Sequence, residues 1–103
     1  IKVAAEVCGE KSAQCMFVVG TNAKLTHDNW QENMRLACKL QDYANKNYPG
    51  LMRPIIMRKE RFNQQVSEGA LIIEIGSNGN TLDEAKTGAK YMAATLAEVL
   101  ISG

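Results

Sequence analysis

From Ala70 to Gly76 the sequence reads Ala-Leu-Ile-Ile-Glu-Ile-Gly, an apolar run broken by a single charge, Glu74. Branched aliphatic residues at this density specify an extended strand, with Leu71, Ile73 and Ile75 on one face and Ile72 and Glu74 on the other. Both faces are largely apolar, so the expected setting is a central strand covered on both sides, and a chain built around it must fold in layers. A carboxylate on such a strand is costly if it is both ionised and unpaired, so Glu74 is paired, protonated, or near the strand end beside a polar cavity. Glycine and asparagine begin two residues later, in Gly76-Ser77-Asn78-Gly79-Asn80, which favours the strand end. Open α/β sheets place their sites there, and partial desolvation would favour proton transfer near neutral pH. The competing reading is an edge-strand carboxylate facing water, or a structural ion pair with Arg58 or Arg61.

The rest of the chain supplies the layers. Ile1 to Val7 and Cys15-Met16-Phe17-Val18-Val19-Gly20 read as a β-hairpin feeding a buried strand. Thr21 to His27 is polar and turn-prone, after which Asp28 and Asn29 are alternative helix caps, with Glu32 completing a capping box from Asn29. Ala37, Leu40, Ala44 and Tyr48, with Leu36 and Tyr43 beside them, keep helical spacing until Pro49-Gly50. Pro54 to Met57 reads as a short strand and Arg58 to Gly69 as a loop. Thr81 then caps a last helix with Glu84 at the capping-box position, and Ala85, Ala89, Met92, Ala93, Leu96 and Leu100 repeat at helical spacing. The expected fold is a layered α/β sheet with helices packed on its faces, in the order β-β-α-β-β-α, forming one domain over residues 1–103. Helix between strands implies parallel crossovers, and the two helices are free to cover opposite faces of the sheet.

Composition removes several functional classes. Twelve basic and eleven acidic side chains nearly cancel and aromatics are 6% of the chain, which argues against nucleic acid or an anionic membrane surface as partner. No apolar run approaches the roughly 20 residues of a bilayer span. The sequence opens on Ile1 within a β-like run, so the expectation is that the natural protein continues upstream. Cys8, Cys15 and Cys38 have no metal-ligand spacing; Cys8 and Cys15 are placed to meet across a hairpin, Cys38 reads as a small buried side chain, and three free thiols is the leading reading. With one histidine, His27, the chain does not assemble a zinc site by itself.

Two further segments have the right chemistry for a site. The turn Gly76 to Thr81 leads into a helix N-terminus, which binds anions in other proteins, but it matches no phosphate-loop pattern and Asp83 and Glu84 already occupy the positive end. A capped strand-to-helix turn is the better reading. The loop Arg58-Lys59-Glu60-Arg61-Phe62-Asn63-Gln64-Gln65 carries guanidinium and amide groups suited to a peptide with carboxylates, or is simply solvated.

Several of these segments, in order, resemble the C-terminal part of the stage II sporulation protein P family. They are Met16-Phe17-Val18-Val19-Gly20-Thr21-Asn22, Asn29-Trp30-Gln31-Glu32-Asn33, Tyr48-Pro49-Gly50-Leu51, Arg58, Arg61-Phe62-Asn63-Gln64, Ala70 to Gly76 and Asn80-Thr81-Leu82-Asp83-Glu84-Ala85. The resemblance runs from about Cys15 to Leu100. It implies the C-terminal portion of an amidase-like catalytic domain, a zinc-dependent N-acetylmuramoyl-L-alanine amidase with an additional endopeptidase activity, acting on peptidoglycan during engulfment in endospore-forming bacteria. It further implies stage II sporulation proteins D and M as partners and an extracytoplasmic location at the sporulation septum, through a membrane anchor absent here. In related amidases two histidines and one glutamate hold the zinc and a later glutamate is the acid/base; Glu74 matches that last position. Arg58, Arg61, Asn63 and Gln64 become candidate substrate contacts, and the zinc ligands fall upstream of Ile1. The rival reading is a noncatalytic α/β module that binds wall peptides or a partner protein through the same four residues.

Overall fold

A computed structural model describes residues 4–20, 29–58 and 70–102. It is a mixed α/β structure with two sheets and two helices. Strands β1 (Ala4–Val7) and β2 (Glu10–Ala13) form an antiparallel hairpin. Cys8 and Gly9 make its two-residue turn, with φ of 52° and 80°. Positive φ at both positions lets the turn follow the strand twist. Strand β3 (Cys15–Gly20) is the centre of a three-stranded sheet. It is followed by helix α1 (Asn29–Asn47), strand β4 (Ile56–Arg58), strand β5 (Ala70–Ile75) and helix α2 (Leu82–Ser102).

The expected order lacked one strand. Glu10-Lys11-Ser12-Ala13 has little intrinsic β preference, so its sequence does not mark a strand of its own. Its strand geometry comes from pairing with β1 and from packing on α2, which buries Ser12 and Ala13 completely. The approach is close: a Cβ on Gly88 of α2 would lie 2.9 Å from the Ala13 carbonyl oxygen.

All six residues of β3 are buried, as a continuous apolar run predicts. On one side β3 pairs in parallel with β4, the crossover through α1 that the sequence implied. Pairing begins before β4, because Cys15 N–H donates to the Leu51 carbonyl and Arg53 N–H to the Cys15 carbonyl, both at 2.7 Å. On the other side β3 pairs antiparallel with β5. Among the described residues the run expected to be central is therefore an edge strand, and the buried centre belongs to β3.

Register fixes the faces. Cys15, Phe17 and Val19 share a face with Ile75, Ile73 and Leu71, and Met16 and Val18 share the other with Glu74 and Ile72. Ala37, Leu40 and Ala44 of α1 and Met92 and Val99 of α2 join Cys15, Phe17 and Val19 in one core. Both helices thus lie on the same sheet face and touch each other. The α1 stripe is as expected from its spacing. On α2 the buried positions are Glu84, Gly88, Met92, Thr95 and Val99, whereas Ala89, Ala93 and Leu100 are exposed. Small residues line both sides of this helix, so hydropathy alone did not rank them; contact with β2 did. All three cysteines are free, and Cys38 is exposed rather than buried.

The hairpin is tied to α2 by polar contacts as well. Glu10 accepts hydrogen bonds from Lys90 Nζ at 2.8 Å and from the Tyr91 hydroxyl. Lys90, then Tyr91, hold the Glu10 carboxyl below its usual 4.5 against a smaller opposing effect of desolvation. The same hydrogen bond, followed by desolvation, pushes the Tyr91 phenol upward. A carboxyl with a lowered native value stabilises the fold above its unfolded value, and that contribution disappears as pH falls through the native one. Chemical denaturation at a series of pH values from about 6 down to about 3 should show a smaller acid-induced loss of stability in Glu10→Gln than in the parent; identical acid limbs would exclude this contact as their source.

Candidate functional site

Glu74 is the fifth of the six β5 residues, opposite Met16 at the start of β3. Its side chain is exposed, on the sheet face that carries neither helix. Among the described residues its carboxylate has no hydrogen-bond or ion-pair partner. The expected placement at the C-terminal end of its strand is observed, but partial desolvation is not: an edge strand open to water leaves the carboxylate hydrated. No structural ion pair with Arg58 replaces it. Arg58 ends β4 opposite Gly20, at the other end of β3. Four residues along the strand and two strand spacings across put the two Cα atoms about 16 Å apart. Their registers nevertheless direct both side chains to the same face, alongside Met16, Val18, Ile56 and Ile72. Arg61, Asn63 and Gln64 lie outside the described residues, as does His27.

The turn after Glu74 is built from its own side chains. Gly76 N–H donates to the Gln14 carbonyl at 2.8 Å, extending the β3–β5 ladder by one bond. Asn80 N–H donates to the Ser77 carbonyl at 3.0 Å, and Ser77 N–H returns a bond to Asn80 Oδ1 at 2.8 Å. The helix start is the capping box read from the sequence: Thr81 N–H donates to Glu84 Oε1 at 3.0 Å and Glu84 N–H to Thr81 Oγ1 at 3.1 Å. Asn80 Nδ2 donates to the same Glu84 oxygen at 3.1 Å, and Lys11 Nζ lies 3.8 Å from the other. Glu84 is buried at 3% exposure, its charge held by these donors and by the positive end of the helix. The helix N-terminus thus already holds a resident carboxylate, and the turn serves as a cap.

The buried Cys15 thiol is a spectator. Burial pushes the Cys15 thiol up to about 11, and its S–H points at the Gly88 carbonyl. Among the described residues no group of three or more His, Cys, Asp or Glu side chains is arranged to hold a metal ion.

Asn80 is the turn residue whose role the sequence does not announce. Its position, one residue before the Thr81 cap and three after Ser77, is the spacing that lets one amide serve both. Gly76 has φ of 70°, and a Cβ there would lie 2.6 Å from Asn80 Oδ1 and 3.0 Å from the Ala13 Cβ. Gly76→Ala combines a left-handed backbone with a side-chain clash and should lower the unfolding free energy by at least about 1 kcal/mol, read by urea denaturation; a stability equal to the parent would mean the turn can reshape freely.

Known proteins agree with this picture of a partial unit. The family description "Stage II sporulation protein P (SpoIIP)" matches residues 2–97. Stage II sporulation protein P of Bacillus subtilis (strain 168) is 30% identical over 100 residues, which cover 92% of this chain and 24% of that protein. The chain thus spans about a quarter of the length of this curated relative. No solved structure matches. With the family's pattern running through both sheets and both helices, the chain belongs to the stage II sporulation protein P family.

Proposed function

We propose that this chain contributes the acid/base carboxylate of a zinc-dependent N-acetylmuramoyl-L-alanine amidase acting on peptidoglycan in sporulation, and that Glu74 is that carboxylate. The observation that carries the reading is the coincidence, in a member of this family, of an exposed and unpartnered carboxylate with a strand end braced by a glycine turn. A carboxylate kept out of ion pairs among the described residues is ready to exchange protons with water. In the reaction it would take the proton of a water attacking the carbonyl between the lactyl group and L-alanine, then deliver it to the departing amine nitrogen. On the same sheet face as Glu74, Arg58 stands at the far end and would be a contact for a stem-peptide carboxylate. A peptide of a few residues would span the two. Arg61, Asn63 and Gln64 belong to the same proposal as further contacts.

The described residues do not fit a zinc ion, which needs three or four donors, so no step is routed through metal bound by them. The ligands are assigned to polypeptide upstream of Ile1 in a larger catalytic domain with an amidase-like fold. Additional endopeptidase cleavage, association with stage II sporulation proteins D and M, and an extracytoplasmic place at the septum through a membrane anchor outside this sequence complete the proposal. No helix of the described residues is long and apolar enough to cross a membrane.

In the rival reading, a noncatalytic module that binds wall peptides, the same exposed Glu74 would take no part in chemistry. Titration with purified muropeptides, with and without zinc, separates the two, because the module binds equally in both. In the longer protein Glu74→Gln should keep its zinc and lose at least about a hundredfold in hydrolysis of cross-linked muropeptides; near-normal turnover would remove Glu74 from the mechanism. The 103-residue chain by itself should bind no stoichiometric zinc, and one tightly held ion per chain in elemental analysis would overturn the assignment of ligands upstream.

A further inference from the structure

Glu74 sits one residue from the end of a strand that, among the described residues, is hydrogen-bonded on one side only. Ends of edge strands open readily, since few bonds must break to release them. An acid/base group needs the opposite, because displacement by about 1 Å can cost a hundredfold in rate. Something beyond the ladder must hold this strand end.

We propose that Asn80 is a positioning residue for Glu74, fastening the turn that ends β5 to the N-terminus of α2. Its carboxamide does this from both ends. Oδ1 accepts from Ser77 N–H at 2.8 Å, while Nδ2 donates to the buried Glu84 carboxylate at 3.1 Å. The same oxygen atom packs against the α-carbon of Gly76, where no side chain would fit. The chain between Ile75 and Thr81 is therefore tied at Gly76 to the Gln14 carbonyl, at Ser77 to Asn80, and through Asn80 to the helix cap. Glu84 is itself anchored by Thr81 and faced by Lys11 of the hairpin, so the reference for the strand end is the packed body of α2 and not the solvent-facing edge. Asn is required on this geometry because one group must accept from a backbone N–H and donate to a carboxylate at the same time. Aspartate lacks the donor, and serine is too short to span both partners.

The role rests on the assignment of Glu74 above. In the longer protein with its metal, Asn80→Ala should lower kcat on muropeptides between about tenfold and a hundredfold at unchanged KM and metal content. Hydrogen exchange at the Ser77 and Gly76 amides should quicken, with Val18 and Val19 unaffected. Asn80→Asp, which sets a carboxylate against Glu84, should be equally impaired. Wild-type kcat per metal-loaded molecule in Asn80→Ala, or unchanged exchange at Ser77, overturns the positioning role. Glu74→Gln measured alongside distinguishes the two levels: if it is inactive while Asn80→Ala is not, only the role of Asn80 falls, and if it turns over normally both assignments fall.

Discussion

Complete burial of β3 is the constraint from which the remaining structure follows. A buried strand must have its backbone groups paired, and Cys15 to Gly20 meet that requirement with β5 on one side and the Leu51–Arg58 segment on the other. The alternation of its side chains then sorts the molecule: Phe17 and Val19 point at the two helices, Met16 and Val18 at the face without them. Glu74 inherits its exposure from this arrangement. It pairs with Met16, at the beginning of the central strand, and its partner strand runs in the opposite direction. The carboxylate end of β5 is consequently at the far end of the sheet from Arg58.

The N-terminus of α2 shows how one set of donors can be used only once. Free N–H groups and a helix dipole make an anion site when nothing else claims them. Here Glu84 enters as a resident anion, buried and supplied with donors from Thr81 and Asn80. Burial of the charge is tolerable because the Thr81 and Asn80 donors are preorganised by the same short stretch of chain and Lys11 of the hairpin lies beside it. The result is a rigid joint between a strand that carries an exposed acid and a helix that belongs to the core. In a protein of this family, the joint has more consequence for placing Glu74 than for binding a ligand of its own.

Much of this was legible in the residues. The helix over 29–47 and its buried stripe followed from 3.6-residue spacing between a cap and Pro49-Gly50, and the capping box at Thr81 and Glu84 is made as its spacing demands. The family was legible too, because several separate motifs occur in one order, and order is information that no single motif holds. The candidate site was legible only at Glu74 itself. Arg58 and Glu74 are sixteen positions apart in the chain, and their distance in space depends on which strands pair and in which direction. Asn80 was hidden because turn residues are chosen for local reasons, and its second hydrogen bond goes to a carboxylate whose burial is a tertiary fact.

The sequence by itself determined both helices, the apolar strands and that one carboxylate would stand at the end of one of them, since these depend on local spacing, caps and breakers. Tertiary structure decided that β3 and not β5 is central, that both helices share one face, and that Glu10 to Ala13 become a strand. An apolar run specifies that a strand will be covered, but hydrophobic burial has no direction and does not name the neighbour. Glu74 remained an acid at a strand end in either account; only strand pairing determined that it faces water from an edge and that its steadiness depends on the turn beyond it.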